Sequence, residues 1–219
     1  MMVPGRVDAA SLLLSLDPPD WFVRHARAVA EVAAWLAARI AARGVTLDRP
    51  LVEAAALLHD IDKVLPASHP ARALPHGEGS AAWLTEAGHP ELARAVANHP
   101  VTRLLDGERY RRWAAFASRE ERLVAYADKR AGQHLESMEA RFASWRRRYP
   151  RVVLAGGGGT GWDETEMRSA RARAERLEAD VCRAAGVVPS DVRRLAWTGP
   201  ALRAARLITS NGARPPAVR

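Results

Sequence analysis

Apolar residues recur at three- and four-residue spacings along most of this 219-residue chain, and the strict alternation typical of strands is nearly absent. The first long helical face consists of His25, Val29, Val32, Leu36 and Ile40. Asp17 is expected to cap that helix, and Gly44 is expected to end it. The chain is long enough for one domain with an extension. The pattern therefore predicts an all-α fold.

Further helices are predicted after Pro50, over residues 77–87 and 90–98, and from the capping box that starts at Ser118 to about Arg148. After residue 150 a glycine-rich stretch indicates a flexible hinge, and another helix follows it. We therefore divide the chain into a domain over residues 1–150 and a segment over residues 151–219. The second segment comprises the hinge and a C-terminal helical extension.

The basic charge is the one unusual feature of the composition. The formal net charge is +8 and the pI is about 10.8, which is typical of nucleic-acid-binding proteins. Of the 33 basic residues 31 are arginine, many of them interleaved with glutamate on predicted helix faces, and aromatic residues are only 6% of the chain. We therefore expect most of the charge to lie on solvated faces, with nucleic acid not the main partner.

Other chemistries are limited by what the sequence lacks. Cys182 is the single cysteine, so one chain forms neither a disulfide nor a thiolate metal site. No apolar run has the length of a membrane span or of a signal-peptide core. We expect a cytoplasmic protein without a membrane partner, and the sequence predicts no oligomeric state.

Histidine and aspartate residues occur at positions where a solvated face would not place them. Asp128 lies in an apolar stripe, and a buried carboxylate without a partner costs several kcal/mol or more, so it needs a cation. His59 and Asp60 project about 100° apart on a helix, so one metal ion binds both only if it lies off the helix between them. In chain order the series is His25, His59, Asp60, His76, His99 and Asp128.

This H…HD…H…H…D series resembles the HD-domain metal-dependent phosphohydrolases, which are all-helical bundles. The resemblance covers about residues 17–150. The segments HDIDK, HGEGSAAWL and YADKR are most similar to the branch with two metals per site. That branch includes the symmetrical diadenosine tetraphosphate hydrolases. The resemblance implies an HD-domain helical bundle, followed here by the C-terminal helical extension.

The resemblance also implies a set of metal ligands. One metal would be bound by His25, His59, Asp60 and Asp128. Asp60 would bridge to a second metal bound by His76 and His99, with His69 as an alternative to His76. Imidazole and carboxylate donors without thiolate suit divalent first-row ions, with iron and manganese favoured. Two such ions would supply a metal-bound hydroxide and neutralise charge on phosphoryl oxygens.

The expected function is hydrolysis of a nucleotide or dinucleoside polyphosphate. Asp60 and Lys63 are the expected catalytic residues. Phosphoryl transfer needs cations near the transferring oxygens, and Lys63, Lys129 and Arg130 are the candidates for substrate binding. Two other functions remain open, an HD-fold di-iron oxygenase and a nucleotide- or RNA-binding module without catalysis.

Two segments depart from the pattern of the tetraphosphate hydrolases. The residues after His99 are Pro-Val-Thr instead of a hydroxyl-rich turn, and residues 129–134 replace an I-x-P-x-R segment. Both segments are expected to border the substrate. His134 is six residues past Asp128, or about 240° around a continuous helix, so it is expected to face elsewhere.

Overall fold

The computed structural model describes residues 3–153 and 159–210, and α-helices make up nearly all of the regular structure in those ranges. The α-helices are α1 Arg6–Leu14, α2 Asp20–Ala42, α3 Arg49–Leu58, α4 Glu78–Glu86, α5 Pro90–Ala97, α6 Gly107–Phe116, α7 Arg119–Lys129, α8 Met138–Arg148, α9 Glu164–Ala185 and α10 Thr198–Ser210. Short 3-10 helices occupy Ile61–Lys63, Pro70–Ala73, Val101–Leu104 and Pro189–Asp191. The predicted all-α fold is confirmed.

Two short strands, β1 Val152–Val153 and β2 Gly159–Thr160, pair antiparallel after α8. The glycine-rich residues 154–158 between them, where the sequence predicts a hinge, lie outside the described residues. That hinge therefore stays a prediction.

Helix α2 lies at the centre of the bundle and packs against α3, α7 and α9. Its buried face includes the fully buried residues Ala26, Ala30, Ala33 and Ala37. Small side chains let neighbouring helices approach closely, because the distance between two helix axes depends on the side chains at the contact. This packing brings His25 on α2 next to His59 at the end of α3.

The C-terminal helices cover the opposite side of the same core. On α9, Met167, Ala170, Ala174, Leu177 and Val181 are buried at alternating three- and four-residue spacings, and the helix packs on α7 and α2. Helix α10 packs mainly on α1. Helices on both sides of residue 150 thus share one hydrophobic core, and the domain boundary there stays a prediction.

Buried Glu31 on α2 ties the segment before α10 to the bundle. Its carboxylate accepts a hydrogen bond from the hydroxyl of Thr198 and forms an ion pair with Arg194, whose Nη2 lies 2.7 Å from Oε2. The extension is therefore attached by polar contacts as well as by its apolar residues.

The prediction of a single helix from Ser118 to Arg148 is wrong, because this part of the chain forms two helices, α7 and α8. Residues 130–137 form a tight turn in which the Glu136 amide donates to the Arg130 carbonyl at 2.7 Å. Gly132 in this turn is a poor helix former, and Ser137 caps the N-terminus of α8 through a bond from the Ala140 amide. These two signals override the apolar stripe that continues through the turn.

The predicted start of α2 also moves. The helix begins at Asp20 with Pro19 in the N-cap position, and Asp17 adopts a positive φ of 46° in the preceding turn. Asp17 is therefore a turn residue and not a helix cap.

Candidate metal centre

Five parts of the bundle bring the six predicted ligands together. His25 lies on α2, His59 and Asp60 at the end of α3, His76 before α4, His99 after α5, and Asp128 in the last turn of α7. Their donor atoms form overlapping groups, in each of which all donors lie within 4.8 Å of one another. These groups are His25/His59/Asp128, His59/Asp60/His99 and Asp60/Asp62/His76.

The carboxylate of Asp60 lies in the middle of the centre, with each oxygen facing a different pair of histidines. Oδ2 is 3.2 Å from His25 Nε2 and 3.5 Å from His59 Nε2. Oδ1 is 3.1 Å from both His76 Nε2 and His99 Nε2. Asp60 therefore stands between two sets of donors.

Asp128 completes only the first set. Its Oδ1 lies 3.6 Å from the Nε2 atoms of His25 and His59, and these two nitrogens are 3.2 Å apart. Two imidazole nitrogens and the Asp128 carboxylate thus converge, and the Asp60 carboxylate lies beside the same two nitrogens. Such a set of donors suits a divalent cation.

The other ring nitrogen of three of these histidines is fixed by the backbone. His25 Nδ1 donates to the Gly132 carbonyl at 2.7 Å. In the same way, His59 Nδ1 donates to the Ala56 carbonyl at 2.8 Å, and His99 Nδ1 donates to the Val96 carbonyl at 2.6 Å. A carbonyl oxygen only accepts, so Nδ1 carries the proton and the Nε2 lone pair of the neutral ring points into the centre. This is the orientation that metal-binding histidines adopt.

The fourth histidine is oriented by a carboxylate that the sequence reasoning missed. Buried Asp62 accepts from His76 Nδ1 at 2.8 Å and from the Gly77 amide at 3.1 Å. Gly77 has a φ of 86°, and a Cβ there would lie 2.8 Å from the Ala97 carbonyl oxygen, so the close approach requires glycine. The one signal in the sequence is the second aspartate of HDID, two residues after Asp60.

We expect Asp62→Ala to weaken binding of a metal at the His76/His99 set by about 10–100-fold, because the imidazole of His76 loses the group that holds it. Titration calorimetry with manganese measures this. Asp62→Asn is the matched control, since its amide oxygen still accepts a hydrogen bond from Nδ1. Equal manganese binding by Asp62→Ala and the wild-type protein would show that Asp62 does not orient His76.

The electrostatics of the centre favour positive charge. Burial, the largest effect, raises the pKa of Asp60, but His59, Lys63, His25 and His76 together hold that pKa well below its usual value. Burial lowers the pKa of His76, yet its bonds to Asp60 and Asp62 raise the net pKa to about 9. The Asp60 carboxylate is therefore ionised and attracts cations.

The lysine and arginine candidates lie in different surroundings. Lys63 Nζ is 2.6 Å from Asp60 Oδ2, and 39% of its side chain is exposed, toward the cleft outside the centre. Lys129 is only 1% exposed, and its Nζ donates to the carbonyls of His99 at 2.6 Å and Ala125 at 3.0 Å. The expectation that Lys129 binds substrate is therefore corrected, because its ammonium is enclosed by the protein.

Arg130 requires the same correction. Its guanidinium donates to the Tyr126 hydroxyl at 2.6 Å, to Glu178 at 3.2 Å, and to the carbonyls of Glu136 and Pro189. It is buried and serves to hold α9 and the turn after α7 in place. The structure does not bring it to the cleft.

An open cleft of about 430 Å³ leads to the centre. Its walls include Trp21, Lys63, residues 100–102, residues 132–134, Glu136, Arg141, Ser144, Trp145, Arg148 and Tyr149. Of the two segments that depart from the tetraphosphate hydrolase pattern, residues 100–102 and residues 132–134 line this cleft, whereas Lys129 and Arg130 do not. His134 lines it as well, contrary to its predicted direction, because the turn at residues 130–137 replaces a continuous helix.

Two further histidines lie apart from the metal centre. His69 caps the 3-10 helix at Pro70–Ala73 by accepting from the Ala71 amide, so His76 and not His69 meets the other donors. His89 precedes α5, with Nδ1 3.6 Å from Glu91.

Arg141 and Arg148 were missed as cleft residues because the sequence placed them on the far part of a continuous helix.

The family model of the HD domain matches residues 22–132, just over half of the chain and a span that contains all six ligand candidates. Searches of curated proteins and of solved structures gave no match. Among the described residues, no helix has the length and apolar character needed to cross a membrane. The donors fit divalent metal ions in residue type, convergence and ring orientation. The chain therefore belongs to the HD-domain family of metal-dependent phosphohydrolases.

Proposed function

We propose that this protein hydrolyses a nucleotide or dinucleoside polyphosphate at a centre for two divalent first-row metal ions, with iron and manganese the best fits. The observation that carries the proposal is the placement of Asp60. Its two carboxylate oxygens face two separate pairs of histidines, at distances of 3.1–3.5 Å. A carboxylate placed between two sets of donors could contribute to the binding of two metal ions, which would together polarise a phosphoryl group and activate water.

The two donor sets divide the ligands as follows. The first contains His25, His59, Asp60 and Asp128, and the second contains Asp60, His76 and His99. When bound, ions at these donors polarise phosphoryl oxygens and lower the pKa of water. In the net reaction, a water oxygen bonds to phosphorus, the bond from phosphorus to the leaving oxygen breaks, and no oxidation takes place.

Lys63 supplies the protein's own positive charge beside the centre. Its ammonium lies 2.6 Å from Asp60 and faces the cleft. Burial, the largest effect, lowers the pKa of Lys63, but the carboxylates of Asp60, Asp128 and Asp62 raise the net value above the usual one, so the group stays charged. In this proposal Asp60 and Lys63 are the catalytic residues, and Lys63 also donates to phosphoryl oxygens of the substrate.

A di-iron oxygenase is the alternative that the same donors would allow. The cationic residues Lys63, Arg141 and Arg148 around the cleft favour a phosphate-bearing substrate. Oxygen consumption by the iron-loaded protein without phosphate release would support the oxygenase instead.

The test is a panel of nucleoside mono-, di- and triphosphates and dinucleoside polyphosphates, assayed with manganese, iron or cobalt while all products are resolved. We expect metal-dependent cleavage, and equal halves from a symmetric substrate would identify the bond that breaks. We also expect about two metal ions per chain, and close to one in His99→Ala, because that variant removes a ligand of the second set alone.

Other outcomes would overturn the proposal. A wild-type protein that binds one ion at saturating metal would exclude the dinuclear centre. A protein that binds metal and nucleotide but releases no product from any member of the panel would be a binding module.

A further inference from the structure

After the turn at residues 130–137, helix α8 runs along one wall of the cleft. The residues that it contributes are Arg141, Ser144, Trp145 and Arg148. They stand at positions i, i+3, i+4 and i+7 of the helix, so they share one face. We call these four residues the cleft face of α8. It carries two cations, a hydroxyl group and an indole.

Arg141 is the residue of this face nearest the metal ligands. Its Nη2 lies 3.4 Å from the backbone oxygen of Asp128, a long hydrogen bond, and its guanidinium lies over the Trp145 ring at 4.8 Å from the centroid. The guanidinium lies over the indole ring, an arrangement that arginine commonly adopts with aromatic side chains. The side chain is therefore fixed next to Asp128.

The hydrogen-bonding capacity of Arg141 is largely unused. Its Nε is buried without an acceptor, and among the described residues Arg141 forms no ion pair with a carboxylate. Glu136 on the neighbouring turn lies close by, since a Cβ at Gly132 would overlap Glu136 Oε1 and lie 3.3 Å from Arg141 Nη1. Glu136 pairs with His134 instead, at 3.8 Å. Arg130, by contrast, donates four hydrogen bonds within the protein. A guanidinium that is held in place without an ion pair is suited to bind an anion from the cleft.

Arg148 provides a second positive charge, farther from the metal centre. It lies two helical turns after Arg141, about 10 Å along the axis, and its side chain is exposed at the cleft. A single phosphoryl group at the metal centre does not reach both arginines. A chain of phosphates that continues along α8 meets Arg141 first and Arg148 afterwards.

We infer that the cleft face of α8 binds the phosphate chain of the substrate beyond the phosphoryl group that is attacked, and so selects polyphosphates over monophosphates. The inference rests on the proposed function for the class of substrate. Arg141 is the main contact, and Arg148 is the outer one.

The experiment measures binding and not turnover, so that it stands apart from catalysis. Inorganic tripolyphosphate and orthophosphate are titrated calorimetrically into the manganese-loaded protein at fixed free manganese. We expect Arg141→Gln to weaken tripolyphosphate binding by about 10–100-fold, the usual loss for a hydrogen-bonded charge. Exposed Arg148→Gln should weaken it by about 2–5-fold. The affinity for orthophosphate should change by less than about threefold in both variants, because orthophosphate binds at the metal centre and does not reach α8.

Arg147→Gln is the matched control, since it removes the same charge from the same helix at an exposed position outside the cleft. Its affinity for both anions should stay within about twofold of wild type. Unchanged tripolyphosphate binding in Arg141→Gln, or an equal loss in Arg147→Gln, would overturn the inference. So would a wild-type protein that binds orthophosphate as tightly as tripolyphosphate. Selective binding of tripolyphosphate without cleavage of any nucleotide would leave the inference standing and reject the proposed function.

Discussion

The Asp60→Asn variant is expected to lose tight metal binding at both donor sets and to lose phosphohydrolase activity by about 10³-fold or more. The reason is that Asp60 directs one oxygen toward His25 and His59 and the other toward His76 and His99. Metal ions contribute several kcal/mol of transition-state stabilisation, and each 1.36 kcal/mol is tenfold in rate. The amide preserves the size of the side chain, so the bundle should fold.

Elemental analysis after dialysis and phosphate release from the best nucleotide of the panel measure the two effects. Asp128→Asn is the matched comparison, because the Asp128 carboxylate lies near the His25/His59 pair. We expect this variant to keep the metal at the second set. An Asp60→Asn protein that keeps two ions would show that Asp60 is not a bridging ligand.

Lys129→Glu is expected to prevent folding, although the residue lies beside the candidate metal ligand Asp128 in the sequence. Its ammonium is buried and donates to the carbonyls of His99 and Ala125, and burial lowers its pKa to about 8 although Asp128 opposes this. A glutamate would place a second buried carboxylate near Asp128. It would also bring that carboxylate next to the two carbonyl oxygens, which need a hydrogen-bond donor. An unpaired buried charge of this kind costs several kcal/mol, a large part of the stability of most domains.

Lys129→Met is the matched variant, since it keeps the length of the side chain without charge. We expect it to fold with a loss of about 1–3 kcal/mol in the free energy of unfolding, because the His99 carbonyl loses its donor. Urea unfolding followed by circular dichroism gives both values. If Lys129→Glu were as stable as the wild-type protein and bound nucleotide less tightly, the original assignment of Lys129 to substrate binding would be restored.

The sequence predicted most of the helices from local signals, and it predicted the six ligands from the resemblance to a known family. Helical periodicity and capping fix the elements, and the spacing of histidine and aspartate matches a known pattern. His25 meets His59 because the alanine-rich face of α2 packs on α3, and periodicity identifies that face as buried. The roles of the six ligands stay predictions until metal is measured.

The cationic residues were harder to predict, because neighbours in the sequence are not neighbours in space. Lys129 and Arg130 follow Asp128 on a helix, where each residue turns by about 100°, so both point into the protein instead of the cleft. Arg141 reaches the cleft only because the chain reverses at residues 130–137. Asp62 meets His76 through a 3-10 turn and the close approach at Gly77, a tertiary contact that no local pattern reports.

The six candidate ligands extend from His25 to Asp128 and belong to five separate parts of the bundle. A metal ion held by them would act as a cross-link that closes several long loops at once, much as a disulfide does. Free metal at 100 times its dissociation constant stabilises a folded protein by about 2.7 kcal/mol. The supply of metal would thus set not only the rate of this enzyme but also the fraction of its molecules that is folded.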